Sequence, residues 1–481
     1  MIESMALAQR LPFSRVRTAL VWSAMRHFAK ELRREGRVVD YHAVGDEASP
    51  RDEMTFVEIL RGDVEQHGLK RLLVMAPAGW TLLDYVRRLA ANLKIEVEIT
   101  PNDLFLSMRE PPAESEEVAL PASPDALART LRRRYAVLVD DQGRPEGGDW
   151  NVESESGKPD AREMPAPPAT PADAITQEVI ALVEDRFPKG VGILEAFRWP
   201  VSRDDALAWL EDFLAKRLSL WARHRDASLS ERAMLAHSGL SAAMNLGLLS
   251  PLEVVAQVER AYRDGASPLA AAVGITRQIF GFREFAHQIH WARMPGHAEM
   301  NALNATRPLP VLFWTGETRC ACLQSVLRRA LDTGYASQTE RLMILGNFLL
   351  LTGVEPRAAA EWFQAVFADG WEWAAIPNVV GLALWADGGL VAPKPYAASA
   401  NYIDRISDHC GRCTYDHTAR HGEDACPFNS LYWNFLDRNR ERLGSVARMR
   451  GMIDSLAQRG RDDLAACAEV SERFLREIGI A

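Results

Sequence analysis

Lys394-Pro395-Tyr396-Ala397-Ala398-Ser399, then Asn401-Tyr402, then Cys410-Gly411-Arg412-Cys413 and, after twelve intervening residues, Cys426-Pro427 form the stretch around which the last third of this chain is organised. Three of the six cysteines fall here, in a segment too long and too polar between them to be an ordinary core. Thiols at this spacing point to a metal and ask for a fourth soft ligand, which the neighbourhood of Cys320 and Cys322 can supply. Spacing alone suits zinc and an iron–sulfur cluster alike.

At 481 residues the chain is long enough for two or three domains. Its hydrophobic share of 47% and charged share of 25% are those of a soluble globular protein. No apolar run reaches the ~18 residues that span a bilayer, and the N-terminus has no basic segment followed by an apolar one, so no membrane contact is expected and a cytoplasmic location is. Six cysteines, clustered as they are, favour metal ligation or redox chemistry over a disulfide framework. The net charge of -9 argues against indiscriminate nucleic-acid binding and leaves room for a local basic groove.

Taken in order, the first part alternates between elements. Arg15 to Gly36 reads as an amphipathic helix, Val38 to Tyr41 as a strand, Met54 to Gln66 as a helix and Arg71 to Met75 as a buried strand; Trp80 to Leu93 is again helical and Ile95 to Ile99 again a strand. This βα alternation predicts a parallel, Rossmann-like sheet domain over residues 1–110, with no strand ahead of the first helix. Residues 111–174 read as a linker, with Pro111-Pro112, the acidic run Glu114–Glu117, an arginine-rich helix around Arg129–Arg134, Gly147-Gly148 and Pro165-Ala166-Pro167-Pro168. That arginine tract is more often a solvated helix face than a nucleic-acid contact. Residues 175–481 predict a large all-α domain without internal repeats, with helices over Ile175–Arg186, Arg203–Arg217, Ser230–Gly247, Pro251–Arg263, Pro268–Trp291, Cys322–Thr333, Ser337–Leu351, Glu355–Phe367 and Phe428–Leu443.

Within the helical part three places bear chemistry. His237-Ser238-Gly239-Leu240-Ser241 has the small polar residues of a phosphate-binding helix start, although an ordinary helical turn reads the same. In Ile275–Phe285, polar Arg277, Gln278, Arg283 and Glu284 interrupt apolar neighbours, as a ligand contact or a structural ion pair would require. Trp314, Trp362, Trp371, Trp373 and Trp385 are dense enough for a core, and beside a cysteine site they also suit electron transfer.

Together these residues resemble the iron–sulfur bacterial cryptochromes and photolyases, the photolyase-related group that includes bacterial (6-4) photolyases. The likeness runs through Ser23-Ala24-Met25-Arg26-His27-Phe28, Gly147-Gly148-x-Trp150-Asn151, His237-Ser238, Arg277-Gln278-Ile279-x-Gly281-x-Arg283-Glu284, Trp314-Thr315-Gly316 and Arg341-Leu342-Met343-x-x-Gly346-Asn347-Phe348. It continues through Pro377-Asn378-Val379, Ala386-Asp387-Gly388-Gly389, Lys394 to Ser399 and Cys426-Pro427-Phe428-Asn429. The resemblance implies a helical domain holding FAD beside a [4Fe-4S] cluster, with Cys322, Cys410, Cys413 and Cys426 as ligands; Cys320 would be free and Cys467 structural. It makes His237, Ser238 and Ser241 candidates for the flavin phosphates, Gln278, Arg283, Arg341 and Asn347 for the flavin's polar edge, and Asp369 and Asn378 for the isoalloxazine side. Trp362 and Trp314 match residues that reduce the photoexcited flavin, and Tyr396 matches one on the lesion face.

The implied activity is blue-light-driven electron transfer from reduced FAD to a pyrimidine photoproduct in UV-damaged DNA, by a monomer, with Lys394, Arg405, Arg438 and Arg440 as candidate phosphate contacts. Three departures stand against the pattern. Ser337-Gln338 occupies the place of the His-His pair that serves (6-4) repair. Ala375 replaces a carboxylate near the flavin. Leu7 and Arg10 stand where antenna-binding residues would be, which leaves an antenna chromophore unsupported. The alternative function is a cryptochrome-like light or redox sensor, with a signalling partner in place of a repair substrate.

Overall fold

The computed structural model describes residues 1–46, 52–93, 95–112, 118–121, 123–152, 164–420 and 422–481. The acidic run Glu114–Glu117 lies outside the described residues.

The expected sheet is reduced to two parallel strands, β1 (Arg71–Met75) and β2 (Glu96–Thr100), joined by the helix Trp80–Leu93 and in register from Arg71 opposite Glu96 to Met75 opposite Thr100. Among the described residues no third strand lies beside them. One consequence corrects the reading of β1 as buried: Leu73 and Met75 are 59% and 53% exposed, because a face that further strands would extend stays open. Nor does Val38–Tyr41 form a strand. Val38 is 97% exposed, and among the described residues Val38–Tyr41 joins no ladder; the pairing comes one residue later, where His42 makes an isolated bridge to Ile2.

The helices expected from periodicity are mostly present, and side-chain caps fix several of their starts. Ser14 caps Arg15–Arg34 by accepting the Arg17 N–H, Ser123 caps Pro124–Arg134, and Thr55 with Glu58 forms a capping box on Phe56–His67. Two expectations need correction. Only Ser241–Asn245 of Ser230–Gly247 is helical. Upstream, Gly239 adopts a left-handed φ of 67°, Ser230 is tied to Asp408, and Arg329 donates to the Leu229 and Arg232 carbonyls, so local helix gives way to long-range bonds. The segment Phe428–Leu443 divides at Asn439 into Pro427–Arg438 and Arg440–Gly444.

Three helices contain π-helical turns, at Arg277–Arg283, Arg341–Gly346 and Pro377–Ala383. Such turns cluster at functional sites. Gly346 lets two of them meet, since a Cβ there would lie 2.9 Å from the Ala383 methyl. Two buried cores result, one around Val16, Leu20, Trp209 and Phe280, the other around Phe313, Phe348, Trp362 and Phe428.

The segment after β2 locks the sheet pair onto the helices. Phe105 is 1% exposed, stacked on His287 with centroids 3.4 Å apart, edge-on to Trp373 at 5.0 Å, and covered by the Arg283 guanidinium at 4.4 Å. Beside it the buried Glu284 carboxylate accepts the Leu106 N–H at 3.0 Å, the Ser107 N–H at 2.8 Å and the Ser107 hydroxyl at 2.7 Å. Truncating this plug leaves a cavity between immobile rings, so Phe105→Ala is expected to cost roughly 3 kcal/mol, read as a lower denaturant midpoint for the whole chain.

Candidate functional site

Three elements bring the predicted cysteines together. Cys322 lies in the first turn of Ala321–Thr333; Cys410 opens the short turn Cys410–Arg412 and its carbonyl accepts the Cys413 N–H at 3.2 Å; Cys426 precedes the helix Pro427–Arg438 and donates its N–H to the Asp416 carbonyl at 2.9 Å. Their side chains line one cavity together with Cys320, His409, Tyr415 and His417. Burial pushes the Cys322 thiol far up and the Cys426 thiol up to about 12, and in each case the neighbouring cysteines add to the rise. Those shifts reflect the burial of the thiols and their mutual repulsion, which a cation among them would relieve.

The spacing of the thiols bears on the metal they suit. Among the described residues no three of these thiols lie within 4.8 Å of one another. A single zinc with bonds of about 2.3 Å holds its sulfurs about 3.8 Å apart, whereas a multi-iron cluster spreads them. Cys320 is buried in the same group of thiols, and Cys467 lies apart in Arg461–Glu477, fully buried.

A second convergence centres on Asp369. Its Oδ2 accepts the Ser241 hydroxyl at 2.6 Å, its Oδ1 accepts the Arg341 guanidinium at 2.8 Å, and its backbone carbonyl accepts the Asn245 amide at 3.3 Å. Three predicted cofactor residues, Ser241, Arg341 and Asp369, are thus joined directly. Arg17, which the sequence did not single out, and Trp371, one of the dense tryptophans, belong here: the Arg17 guanidinium covers the Trp371 ring at 5.2 Å, and burial lowers it to about 10, with Arg10 lowering it further and Asp369 opposing. Arg17 Nε and Trp371 Nε1 are buried without a protein acceptor. Orphaned donors beside a polar hub fit an oxygen-rich ligand such as a flavin nucleotide. The sequence signal for Arg17 is only an arginine on an otherwise core-facing helix.

Other predicted residues fall elsewhere. His237 and Ser238 precede the helix Ser241–Asn245 instead of opening it; His237 Nε2 reaches the Arg225 carbonyl at 2.9 Å, Nδ1 is buried without a partner, and burial lowers its pKa. Ser238 accepts the Leu240 N–H at 3.4 Å. Gln278 is exposed. Arg283 is taken up by the Phe105 plug, donating to the Leu104 carbonyl at 2.7 Å, while its Nε and one terminal nitrogen stay unpaired. Asn378 donates to Ala374 in its own helix. Asn347 is spent on the backbone of Ala398, donating to its carbonyl at 2.9 Å and accepting its N–H at 3.0 Å, which fixes the lip that carries half-buried Tyr396.

The aromatic residues make a continuous path from the Asp369 hub. Arg341 covers the Phe367 ring at 3.9 Å, Phe367 meets Trp362 at 5.7 Å, and Trp362 meets Phe313 edge-on at 4.9 Å. The Trp362 N–H donates to the Phe313 carbonyl at 2.9 Å, one residue from half-buried Trp314. Of the candidate DNA contacts, Arg405 covers Tyr402, Arg438 donates to the Leu350 and Leu351 carbonyls, and Arg440 pairs with Asp437.

Ser337 is 3% exposed and works as a helix cap: its hydroxyl accepts the Glu340 N–H, and its own N–H donates to Glu340 Oε2 at 2.8 Å. Gln338 is exposed. Glu340 Oε1 also accepts Arg329 and the Ser228 hydroxyl, both at 2.7 Å, and Ser228 lies 2.9 Å from His409 Nε2, so hydrogen bonds run unbroken from position 337 to the residue before Cys410. Burial works to raise the Glu340 pKa, but Arg329, Ser228 and the Ser337 N–H outweigh it and hold the carboxyl below its ordinary 4.5. A carboxyl lowered on folding stabilises fully above 4.5 and loses that contribution as pH falls through the lowered value. Glu340→Gln should therefore destabilise the chain at neutral pH by roughly 3 kcal/mol, and the gap to the parent should close in acid, as measured by denaturant titration across pH.

Comparison with known proteins places this architecture. Residues 1–199 match the family described as deoxyribodipyrimidine photo-lyase-related protein. The chain is 38% identical over 485 residues to a (6-4) photolyase of Agrobacterium fabrum, covering 99% of this chain and 94% of that one. Its fold is similar to that of a bacterial class III photolyase from Agrobacterium tumefaciens, with a TM-score of 0.53 at 16% identity over 95% of this chain and 88% of the other. It is also similar to a cryptochrome from Synechocystis sp. PCC6803, with a TM-score of 0.50 at 15% identity over 97% and 89% of the two chains. With near-complete coverage at that identity and the shared fold, the chain belongs to the photolyase/cryptochrome family, on its bacterial photolyase-related branch.

Proposed function

We propose that this protein is a photolyase-like flavoprotein that acts on pyrimidine photoproducts in UV-damaged DNA under blue light. The observation that carries the reading is the contact between the Asp369 hub, with its orphaned donors, and the aromatic path through Trp362 to Trp314. In this reading FAD, reduced and excited by light, supplies one electron to a flipped-out lesion and recovers it, so that net redox is zero. Ser241, Arg341 and Asp369 orient the cofactor, with Arg17 and Trp371 as further donors. His237 and Ser238 stand for the phosphate side, and Gln278, Arg283, Asn347 and Asn378 for contacts that the bound cofactor would draw on. Tyr396, on a lip held by Asn347, faces the lesion. Trp362 and Trp314 carry electrons in from the surface.

Cys322, Cys410, Cys413 and Cys426 are assigned to a [4Fe-4S] cluster; their spacing, too wide for one zinc, supports this. No role is proposed for an antenna chromophore, since Leu7 and Arg10 are surface side chains without aromatic or acidic character. The chain acts as a monomer, and no helix among the described residues is long and apolar enough to cross a membrane.

The site is poorly equipped for (6-4) chemistry. Oxygen transfer in that lesion calls for a group that gives and recovers a proton near neutrality, which histidine does and neither serine nor glutamine can. Ser337 is in addition bound into its helix cap. That feature favours the second reading, a light or redox sensor that keeps the cofactors without repair.

Illumination of defined oligonucleotides should give slow restoration of thymines from a (6-4) lesion, and turnover with a cyclobutane dimer decides between lyase and sensor. Rapid (6-4) turnover by the parent chain would show that positions 337 and 338 do not limit it. Paired Ser337→His and Gln338→His substitutions should raise (6-4) repair by at least about a hundredfold if proton transfer is the missing step. Anaerobically isolated protein should carry flavin, iron and acid-labile sulfide. Asp369→Ala should release the flavin while leaving iron and sulfide in place, and a colourless, zinc-containing protein would overturn both cofactor assignments.

A further inference from the structure

Among the described residues, one trio of ligand atoms converges at the spacing of a single ion. A carboxylate oxygen of Asp404, the sulfur of Cys410 and a ring nitrogen of His417 all lie within 4.8 Å of one another, which no three of the clustered thiols do. The elements that hold them are independent. Asp404 sits on the helix Ala400–Ile406, Cys410 opens the turn after it, and His417 lies in the chain between Cys413 and Cys426. That last segment is fixed at both sides of the imidazole: the Asp416 carbonyl accepts the Cys426 N–H at 2.9 Å, and the His417 and Ala419 carbonyls accept the Asn429 amide at 2.9 and 2.8 Å. The histidine is therefore built into the cysteine scaffold, not draped over it.

Nothing in the protein occupies the two outer side chains. The Asp404 carboxylate lies 3.8 Å from His417 Nε2, beyond hydrogen-bond length, and neither side chain makes another polar contact among the described residues. They are 37% and 31% exposed, so an ion can arrive from water and keep a water as its fourth ligand. A carboxylate turned towards a thiolate repels it, and a cation between them removes the repulsion.

We propose that Asp404, Cys410 and His417 form a mononuclear site for a zinc-type divalent cation, which competes with the cluster for the Cys410 thiolate. The mixed oxygen, nitrogen and sulfur donors suit a borderline cation and disfavour magnesium or calcium, which take oxygen. Zinc bonds of about 2.0 to 2.3 Å bring tetrahedral ligands to roughly 3.3 to 3.8 Å of one another, a closure of about 1 Å that half-exposed side chains reach by rotation. The competition rests on the cluster reading above, whereas the trio's affinity for the ion does not.

Cobalt(II), titrated anaerobically into the iron-depleted full-length chain, tests the site directly. The expected result is one equivalent bound with the charge-transfer intensity of a single thiolate. Asp404→Ala and His417→Ala should each weaken binding by at least about tenfold, no less than loss of an outer-shell partner does, while iron and sulfide in the variants as isolated stay at the parent level. A four-thiolate spectrum with an affinity indifferent to both substitutions would overturn the proposal. Reconstitution with iron and sulfide gives a second reading: equimolar zinc should retard cluster formation in the parent and not in His417→Ala, and equal retardation in both would count against the shared thiolate. If the chain as isolated holds neither iron nor sulfide, it is the cluster reading that fails, and the cobalt titration still reports on the trio.

Discussion

A carboxylate withdrawn from water has to be met by donors, and the way Asp369 is met organises the centre of this protein. Ser241 reaches it from the short helix after the Gly239 turn, Arg341 from a π-helical turn, and Asn245 from one helical turn beyond Ser241. Ser241 and Asn245 lie about a hundred residues before Arg341 in the chain, and the one residue they share with it sets their distances. Arg341 has a second face, laid on Phe367, so the polar hub and the aromatic path to Trp362 are two sides of one guanidinium. Moving either would disturb the other.

The thiol group is held by a different logic. Cys322 and Cys426 lie at helix starts and Cys410 opens a turn, so each is placed by an element boundary whose backbone is already fixed. Burial of several thiols in one cavity is unfavourable for every one of their charges, a cost that a bound cation would offset. The Glu340 network connects this part to the cofactor side. It runs through Ser228 and His409 and ends at Ser337, whose hydroxyl caps a helix.

Much of this was legible in the amino-acid order. The 3.6-residue period located the helices Arg15–Arg34, Trp80–Leu93, Pro251–Arg263 and Pro356–Val366, and the clustering of Cys410, Cys413 and Cys426 pointed to the cavity that they line, because both signals are local. Where the reading failed, a distant partner had overruled a local preference. Ser230–Gly247 has helical composition, yet Asp408 and Arg329 pull its first half into a loop. Val38–Tyr41 has strand composition, yet among the described residues it has no strand beside it. Asn347 looked like a cofactor contact from its motif and is bonded to Ala398 on both sides, because a buried amide takes whatever backbone packing offers.

The sequence by itself determined the family and the helical character of the larger part, and it singled out the four cysteines that share one cavity, since periodicity, spacing and shared motifs survive in one dimension. Only the tertiary structure decided which polar residues meet. It joined Ser241 and Arg341 on Asp369, added Arg17 and Trp371 to them, sent Arg283 to the Phe105 plug, and brought Asp404 and His417 to Cys410. The reason is that a hydrogen bond or an ion pair depends on separations of a few ångströms, and the chain brings distant residues that close only after its apolar faces have packed.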